Sequence, residues 1–340
     1  MARRLLQTIL GGFAVIALGC GGTATPPPSM PATSDATWTD GTSLIASLEI
    51  PAGMTYTIAP GAHVTAGSKV SITIRGTLKV ASATGMHARI TSMAGAPWTG
   101  LVVENGGTLD ADGLDLENAS AAIDVRAGAA AARYDDGTIK NPLFPFQIGR
   151  AGRLDTAHAS VVGAMSASTV SGEFHASYLD YAKTQTTGGF VMSDALAVFD
   201  VADSTFHGEP GTQGADYITT LGATLVHVTY TTITDSHCAF HFDGLDRYEI
   251  DHVTAGASAP DAPGQKNAWG AMLYGSGAGP NVIKSSNFMN LEHNLDQSGE
   301  NGPLTITDTY TTGMNLDNDD SWTLTGSELA PSPVLDAKPR

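Results

Sequence analysis

The sequence predicts an all-β chain that folds as a right-handed parallel β-helix, a solenoid of about 11 to 12 coils. The first observation is a recurrence of short segments with apolar ends, at intervals of 20 to 33 residues. The second is the abundance of turn formers, with 39 Gly and 17 Pro among 340 residues. The third is that no long stretch has the i, i+3, i+4, i+7 apolar spacing of an amphipathic helix.

The recurring segments share one pattern: an apolar or aromatic residue, about four mostly polar or small residues, and often a second apolar residue. In a parallel β-helix each coil lies directly above the previous one, so inward side chains stack into apolar ladders and outward ones stay polar. We therefore expect residues 46–335 to form one solenoid domain. The segments begin at Leu109, Tyr134, Leu154, Phe174, Val201, Val228, Ile250, Ile283 and Ile306.

The N-terminal residues indicate export. Arg3 and Arg4 precede an apolar stretch, residues 5–18, that is too short for a comfortable membrane span. The stretch ends in "IALGC", which resembles a bacterial lipoprotein signal over residues 1–20, and the resemblance implies lipidation of Cys20. The alternative is an ordinary secretory signal that contains a cysteine. Residues 21–45 are rich in Pro, Thr and Ser and are predicted to form a flexible tether.

The lipoprotein resemblance implies a place in the bacterial cell envelope, on the outer membrane or cell surface, with the membrane contacted through the lipid. The formal net charge of −17 gives an acidic surface that repels nucleic acid and anionic lipid. Only Cys20 and Cys238 are present, so lipidation of the first leaves no internal disulfide. We expect a monomer.

Several segments resemble the opening coils of secreted right-handed parallel β-helix proteins with the pectate-lyase-like fold. They are the "IPAG" at Ile50–Gly53, the "GTL" at Gly76–Leu78, the "ITS" at Ile90–Ser92 and the Trp-x-Gly-apolar motif at Trp98–Leu101. The tail "SPVLDAKPR" resembles the "SPAIDAG" ending of the same group, with Lys338 in place of Gly. The resemblance implies the fold but no single function, because this fold hosts lyases, hydrolases, adhesins and inert surface proteins.

Motifs for pectin chemistry are missing. The "NTD", "GHG" and "RIK" motifs of polygalacturonase-type enzymes are absent from the sequence. Pectate lyases need a basic residue to abstract a proton and cations to offset the acidic substrate. From Val201 onward the basic side chains, histidine aside, are only Arg247, Lys266, Lys284, Lys338 and Arg340. An anionic polysaccharide substrate is therefore disfavoured.

The densest polar patch spans residues 235–252. Even spacing along a strand places His237 and His241 on the same side. The patch is a candidate metal site, or a His–Asp acid/base pair with Arg247 nearby; the alternative is a set of outward polar residues on two coils. Cys238 alternates away from both imidazoles and is predicted to be a buried, small apolar side chain. The catalytic candidates are His237, His241, Asp243, Asp246, Arg247, Asp251 and His252.

A second candidate concerns Ca²⁺. Asn315, Asp317 and Asp319 alternate and would share one face of a strand, giving three oxygen ligands where Ca²⁺ takes six to eight. We expect no other cofactor.

Three functions remain open on this evidence. The favoured one is a non-catalytic, envelope-anchored lipoprotein that displays a rigid β-helix for binding or adhesion, with a polysaccharide or an envelope protein as partner. The alternative is a carbohydrate-active enzyme, similar to a polysaccharide lyase or glycoside hydrolase, with its site near His237–His252. The third is a structural, Ca²⁺-dependent module of an envelope assembly.

Lipidation at Cys20 is directly testable. Replacing Cys20 with Ser removes the thiol that would carry the lipid, so Cys20→Ser should abolish fatty-acid labelling and move the protein out of the membrane fraction. Labelling that persists in the variant would contradict the assignment.

Overall fold

The computed structural model describes residues 34–80, 83–128, 131–184, 188–208, 215–256, 269–277, 279–289, 293–298, 302–311 and 322–325. In these residues the paired strands are all parallel, and one 3-10 turn at Met93–Gly95 is the sole helical element. The chain is a parallel β-solenoid, which confirms the predicted fold class. Across the same ranges, no helix is long and apolar enough to cross a membrane. The right-handed sense stays a prediction, based on the strong preference of parallel crossovers.

Each coil passes through three sheets, which we call the first, second and third sheet in the order the chain enters them. The strands of the first sheet are Ala36–Trp38, Thr55–Ile58, Thr77–Val80, Thr108–Asp112, Ala131–Asp135, Arg153–Ala157, Glu173–Ser177, Val198–Ala202, Ala223–Thr229, the later part of Cys238–Asp251, Asn281–Lys284, Leu304–Thr307 and Trp322–Thr325.

The second sheet follows a tight corner after the first. Its 12 strands are Ser43–Leu44, His63–Ala66, Ala88–Ser92, Leu114–Glu117, Thr138–Lys140, Ser160–Ala164, Asp180–Lys183, Thr205–His207, Thr232–Thr234, Thr254–Gly256, Asn287–Met289 and Tyr310–Thr311.

The third sheet completes each coil. Its strands are Leu48–Ile50, Ser71–Ile74, Gly100–Val103, Ala121–Val125, Phe144–Ile148, Ser168–Val170, Phe190–Met192, Ile218–Thr220, the early part of Cys238–Asp251, Trp269–Ser276 and His293–Ser298. Cys238–Asp251 is a continuous 14-residue strand that runs from the third sheet into the first and joins the two.

The nine segments recognised in the sequence all coincide with strands of the first sheet. Their apolar anchors are buried, from Leu109 in the early coils to Ile306 in the late ones. Pairing is in register, so Leu154 lies above Ala132 and below Phe174 in one inward ladder. Among the described residues the first strand of the solenoid is Ala36–Trp38, ahead of the predicted start at residue 46, and Trp38 is buried there against Tyr56.

The corner between the first and second sheets is turned by a single residue with a positive φ. At eight successive corners this residue is not glycine, and its φ lies between 46° and 54°. A histidine or tyrosine at such a position is uncommon, and here the rings stack along the axis. His158 lies on Tyr178, and Tyr230 on His252, with ring centroids 4.6 Å apart in both pairs.

Aromatic rings fill the middle of the core. Phe174 contacts Phe146, Phe190 and Phe199 with centroid distances of 5.2 to 5.5 Å, and all four rings are fully or almost fully buried. Burying each such side chain stabilises the fold by about 1.5–3 kcal/mol. The core therefore holds the coils together without a disulfide among the described residues, where Cys238 is a free thiol.

Candidate functional site

A single carboxylate, Asp216, lies between two imidazoles at the edge of the third sheet. Its Oδ1 is 3.0 Å from Nδ1 of His237, and its Oδ2 is 2.6 Å from Nδ1 of His241. Because a carboxylate only accepts, both rings are best assigned as donating from Nδ1. Both predicted histidines thus face one acid, which lies about one coil earlier in the chain.

Two further groups adjoin Asp216. The buried Cys238 has its Sγ 3.4 Å from His237 Nδ1 and 3.2 Å from Met272 Sδ, and its thiol also hydrogen-bonds to Asp216. The buried Lys183 donates from Nζ to the carbonyl of Ala215. Cys238 is buried, as predicted, but the prediction that it turns away from both imidazoles is wrong, because its sulfur contacts His237. His237 precedes the strand that starts at Cys238, so strict strand alternation does not separate these two side chains.

Burial and hydrogen bonding oppose each other in this cluster. Burial favours the neutral form of Asp216, but hydrogen bonds from His237, His241 and Cys238 outweigh it and hold the pKa of Asp216 below its usual range. The hydrogen bond between His241 and Asp216 raises the pKa of His241. Burial lowers the pKa of Lys183 to about 8, against the opposing charges of Asp216 and Cys238. Burial also raises the pKa of the Cys238 thiol.

The cluster has the parts needed for acid–base chemistry. An imidazole held through Nδ1 by a carboxylate presents Nε2 as a proton acceptor or donor. The His237 and His241 side chains are 35% and 29% exposed, so solvent reaches both rings. Sequence reasoning missed Asp216 and Lys183. The available signal was the spacing, since Asp216 precedes His237 by 21 residues, about one coil.

The other predicted site residues lie elsewhere. Asp243, Asp246 and Arg247 are exposed where the long strand bends from the third sheet into the first. Asp251 and His252 lie at the far end of that strand, where their side chains meet at 2.6 Å. Ten residues of extended chain, roughly 30 Å of contour, separate His241 from Asp251. The structure thus divides the predicted patch into three places. The predicted lipidation site Cys20 and the Ca²⁺ candidates Asn315, Asp317 and Asp319 lie outside the described residues.

The outward face of the first sheet carries a column of charged residues that the sequence analysis did not identify. Each residue pairs in register with the next, and basic and acidic side chains alternate over eight rungs. We call this column the charge ladder; it consists of Lys79, Asp110, Arg133, Asp155, His175, Asp200, His227 and Glu249.

Contacts within the ladder follow the alternation. Asp200 has one oxygen 3.3 Å from Nδ1 of His175 and the other 2.9 Å from Nδ1 of His227. Arg133 reaches Asp110 at 3.4 Å. Neighbouring rungs are about 4.8 Å apart, and like charges directly opposite each other destabilise a sheet. Alternation of acidic with basic or imidazole side chains keeps like charges off adjacent rungs of this column, although Asp112 and Asp135 are register partners two residues further along the same strands.

A shallow trough of about 340 Å³ runs beside the charge ladder. Its polar lining offers carboxylate, guanidinium, imidazole and hydroxyl groups, and its remaining side chains are small. The lining residues are Arg133, Asp135, Asp155, Thr156, Ala157, His175, Ala176, Ser177, Asp200 and Ala202.

No protein-family model matches this chain, and no curated protein matches it. Among solved structures, the chain is similar to the catalytic domain of a GH87 alpha-1,3-glucanase in complex with nigerose, with 9% identity and a TM-score of 0.27. The alignment covers 86% of this chain and 63% of the glucanase chain, so this chain spans less than two thirds of the length of the glucanase chain. A similarity this low carries no information on activity.

The Asp216 cluster predicts a pH-dependent stability. The pKa of Asp216 is lowered in the folded protein, so Asp216 stabilises the fold at pH values above the usual carboxyl pKa. The pKa of His241 is raised, so His241 stabilises the fold at pH values below the usual imidazole pKa, and this stabilisation is lost as pH rises. Asp216→Asn should therefore lower the free energy of unfolding by about 1–3 kcal/mol at about pH 5.5 and by less at about pH 9. Urea denaturation at both pH values measures the difference.

Asp200→Asn is the matched control, because Asp200 also contacts two imidazoles but is 41% exposed. It should cost below about 1 kcal/mol at about pH 5.5. An Asp216→Asn effect that is equal at both pH values would contradict the assigned charge states.

Proposed function

We propose that this protein is a non-catalytic, lipid-anchored protein of the bacterial cell envelope that binds a neutral polysaccharide along the first sheet. The trough beside the charge ladder is the observation that carries the proposal. Sugar hydroxyls both donate and accept hydrogen bonds, and the trough presents acceptors on Asp155 and Asp200 and donors on Arg133. Small side chains at Ala157, Ser177 and Ala202 leave room for a ring.

The charges of the trough favour a neutral ligand. Each of its carboxylates already contacts a cationic group or an imidazole: Asp135 with Arg133, Asp155 with Arg153, and Asp200 with His175. An anionic chain would have to displace these partners, on a molecule whose net charge is −17. Sugar hydroxyl groups can instead hydrogen-bond to the carboxylate lone pairs and the N–H groups that the ion pairs do not occupy.

The same pairing favours binding over catalysis in the trough. Glycoside hydrolysis needs one carboxyl group that carries a proton and a second at a set separation across the substrate. Carboxylates that share their charge with neighbouring cations suit a binding surface better. The envelope location rests on the sequence alone, through the resemblance of residues 1–20 to a lipoprotein signal and the Pro/Thr-rich residues that follow.

A second candidate is a carbohydrate-active enzyme with its site at Asp216. It is favoured by one observation, the two half-exposed imidazoles that a single carboxylate orients. In this arrangement one ring would take a proton and the other would give one.

The test is binding of the full chain to a panel of soluble polysaccharides, neutral glucans, xylans and galactans against anionic polygalacturonate, by calorimetry. We expect a neutral polysaccharide to bind. Ser177→Tyr fills the trough and should raise the Kd at least about tenfold, equivalent to about 1.4 kcal/mol. Val162→Tyr, at an exposed position of the second sheet, is the matched control and should leave the Kd unchanged.

Equal effects of the two tyrosine substitutions, or preferential binding of polygalacturonate, would contradict the proposal. New reducing ends in the same incubations are the readout for the second candidate. If they appear, and Asp216→Asn abolishes them in folded protein, the enzymatic function would replace the binding function.

A further inference from the structure

Three different metal-ligand types meet at the edge of the third sheet, away from the trough. A carboxylate oxygen of Asp216, a ring nitrogen of His237 and the sulfur of Cys238 all lie within 4.8 Å of one another. Oxygen, nitrogen and sulfur together form a donor set that suits a borderline-soft ion of the zinc type better than Ca²⁺ or Mg²⁺, which prefer oxygen alone.

We propose that Asp216, His237 and Cys238 bind one divalent transition-metal ion of the zinc class, with a fourth coordination position facing solvent. The site lies on a different sheet from the proposed polysaccharide trough, so neither proposal depends on the other.

The spacing of the donor atoms fits such an ion. Bonds of about 2.0 Å to nitrogen and oxygen and about 2.3 Å to sulfur, at tetrahedral angles, give edges of about 3.3 Å for N–O and about 3.5 Å for N–S. The observed distances are 3.0 Å between His237 Nδ1 and Asp216 Oδ1, and 3.4 Å between His237 Nδ1 and Cys238 Sγ. Both distances from His237 Nδ1 are within a few tenths of an ångström of these edges, and the third pair, a carboxylate oxygen of Asp216 and the Cys238 sulfur, lies within 4.8 Å.

The surroundings supply the support that metal ligands usually have. With Oδ1 of Asp216 on the ion, Oδ2 would keep its 2.6 Å hydrogen bond from His241, which fixes the carboxylate orientation. A carboxylate and a thiolate together cancel the charge of a divalent ion, so the nearby ammonium of Lys183 faces a neutral centre. The thioether of Met272, 3.2 Å from the Cys238 sulfur, adds a soft neighbour.

Solvent and metal ions can reach the proposed site from the side of His237. Cys238 is fully buried, whereas the side chains of Asp216 and His237 are 20% and 35% exposed. Three protein ligands with one open position is the arrangement of zinc sites that bind water or a substrate, whereas structural sites are closed by four protein ligands.

The charge ladder offers an internal comparison. Asp200 also contacts two imidazoles, from His175 and His227, at 3.3 and 2.9 Å, but no sulfur lies in that cluster. A carboxylate with two histidines therefore occurs twice in the described residues, and the thiol is what sets the Asp216 cluster apart.

The test is a Co²⁺ titration of the full chain carrying Cys20→Ser, which makes Cys238 its one thiol. Co²⁺ reports thiolate ligation through a near-ultraviolet charge-transfer band, and Zn²⁺ is then added as competitor. We expect one Co²⁺ per chain, a thiolate band, and displacement by Zn²⁺. His237→Gln should weaken Zn²⁺ binding by more than about 100-fold. Mutating a residue that only hydrogen-bonds to a metal ligand already lowers metal affinity by about 10- to 100-fold, and His237 is a ligand itself.

Two variants complete the design. Cys238→Ser should abolish the band, and Asp200→Asn, the matched control, should leave band and affinity unchanged. If Cys238→Ser does not fold, the partly exposed His237→Gln carries the test by itself. Absence of the band, a Zn²⁺ affinity unaffected by His237→Gln, or an equal loss in Asp200→Asn would each overturn the proposal.

Discussion

In-register stacking of parallel strands is the constraint on which the rest of this molecule depends. Backbone hydrogen bonds fix successive coils about 4.8 Å apart, so a side chain on an interior strand has one neighbour directly above and one directly below. Inside, this requires apolar residues that stack, and Leu154 and Phe174 do so. Outside, it places the polar side chains of neighbouring coils directly opposite each other, and the charge ladder keeps like charges apart by alternation.

Both candidate sites are products of this stacking. The trough exists because small residues on three rungs, Ala157, Ser177 and Ala202, line up beside the charged column. The Asp216 cluster exists because an acid on one coil lies next to two histidines on the following coil. A solenoid thus builds a site from residues about one period apart, and the chemistry differs with burial and with the third partner, which at Asp216 is a thiol.

The sequence predicted the fold well, because the apolar anchors of the first sheet repeat with a visible period and all nine are buried. It also predicted, from their even spacing along one strand, that His237 and His241 lie on the same side, and both contact Asp216. It did not predict Asp216 or Lys183, because coil lengths vary and alignment across coils depends on corner geometry. The burial of Cys238 was predicted correctly, but its contact with His237 was not, because the strand begins at Cys238 and alternation does not extend to His237. Asp251 was grouped with His241 because the two are close in sequence, but they lie at opposite ends of a long strand that bends from the third sheet into the first.

Register itself can be measured by engineered disulfides in the full chain. Asp155 and His175 are register partners on the outward face, and a Cα separation near 4.8 Å lies within the range that a disulfide spans. The chain with Asp155→Cys and His175→Cys should form the bond under mild oxidation, as seen by mass spectrometry of linked peptides. The pair Asp155→Cys and Ser177→Cys is two residues out of register, with Cα atoms about 8 Å apart, and should not. Equal cross-linking of the two pairs, or a preference for the second, would contradict in-register stacking and the sites built on it.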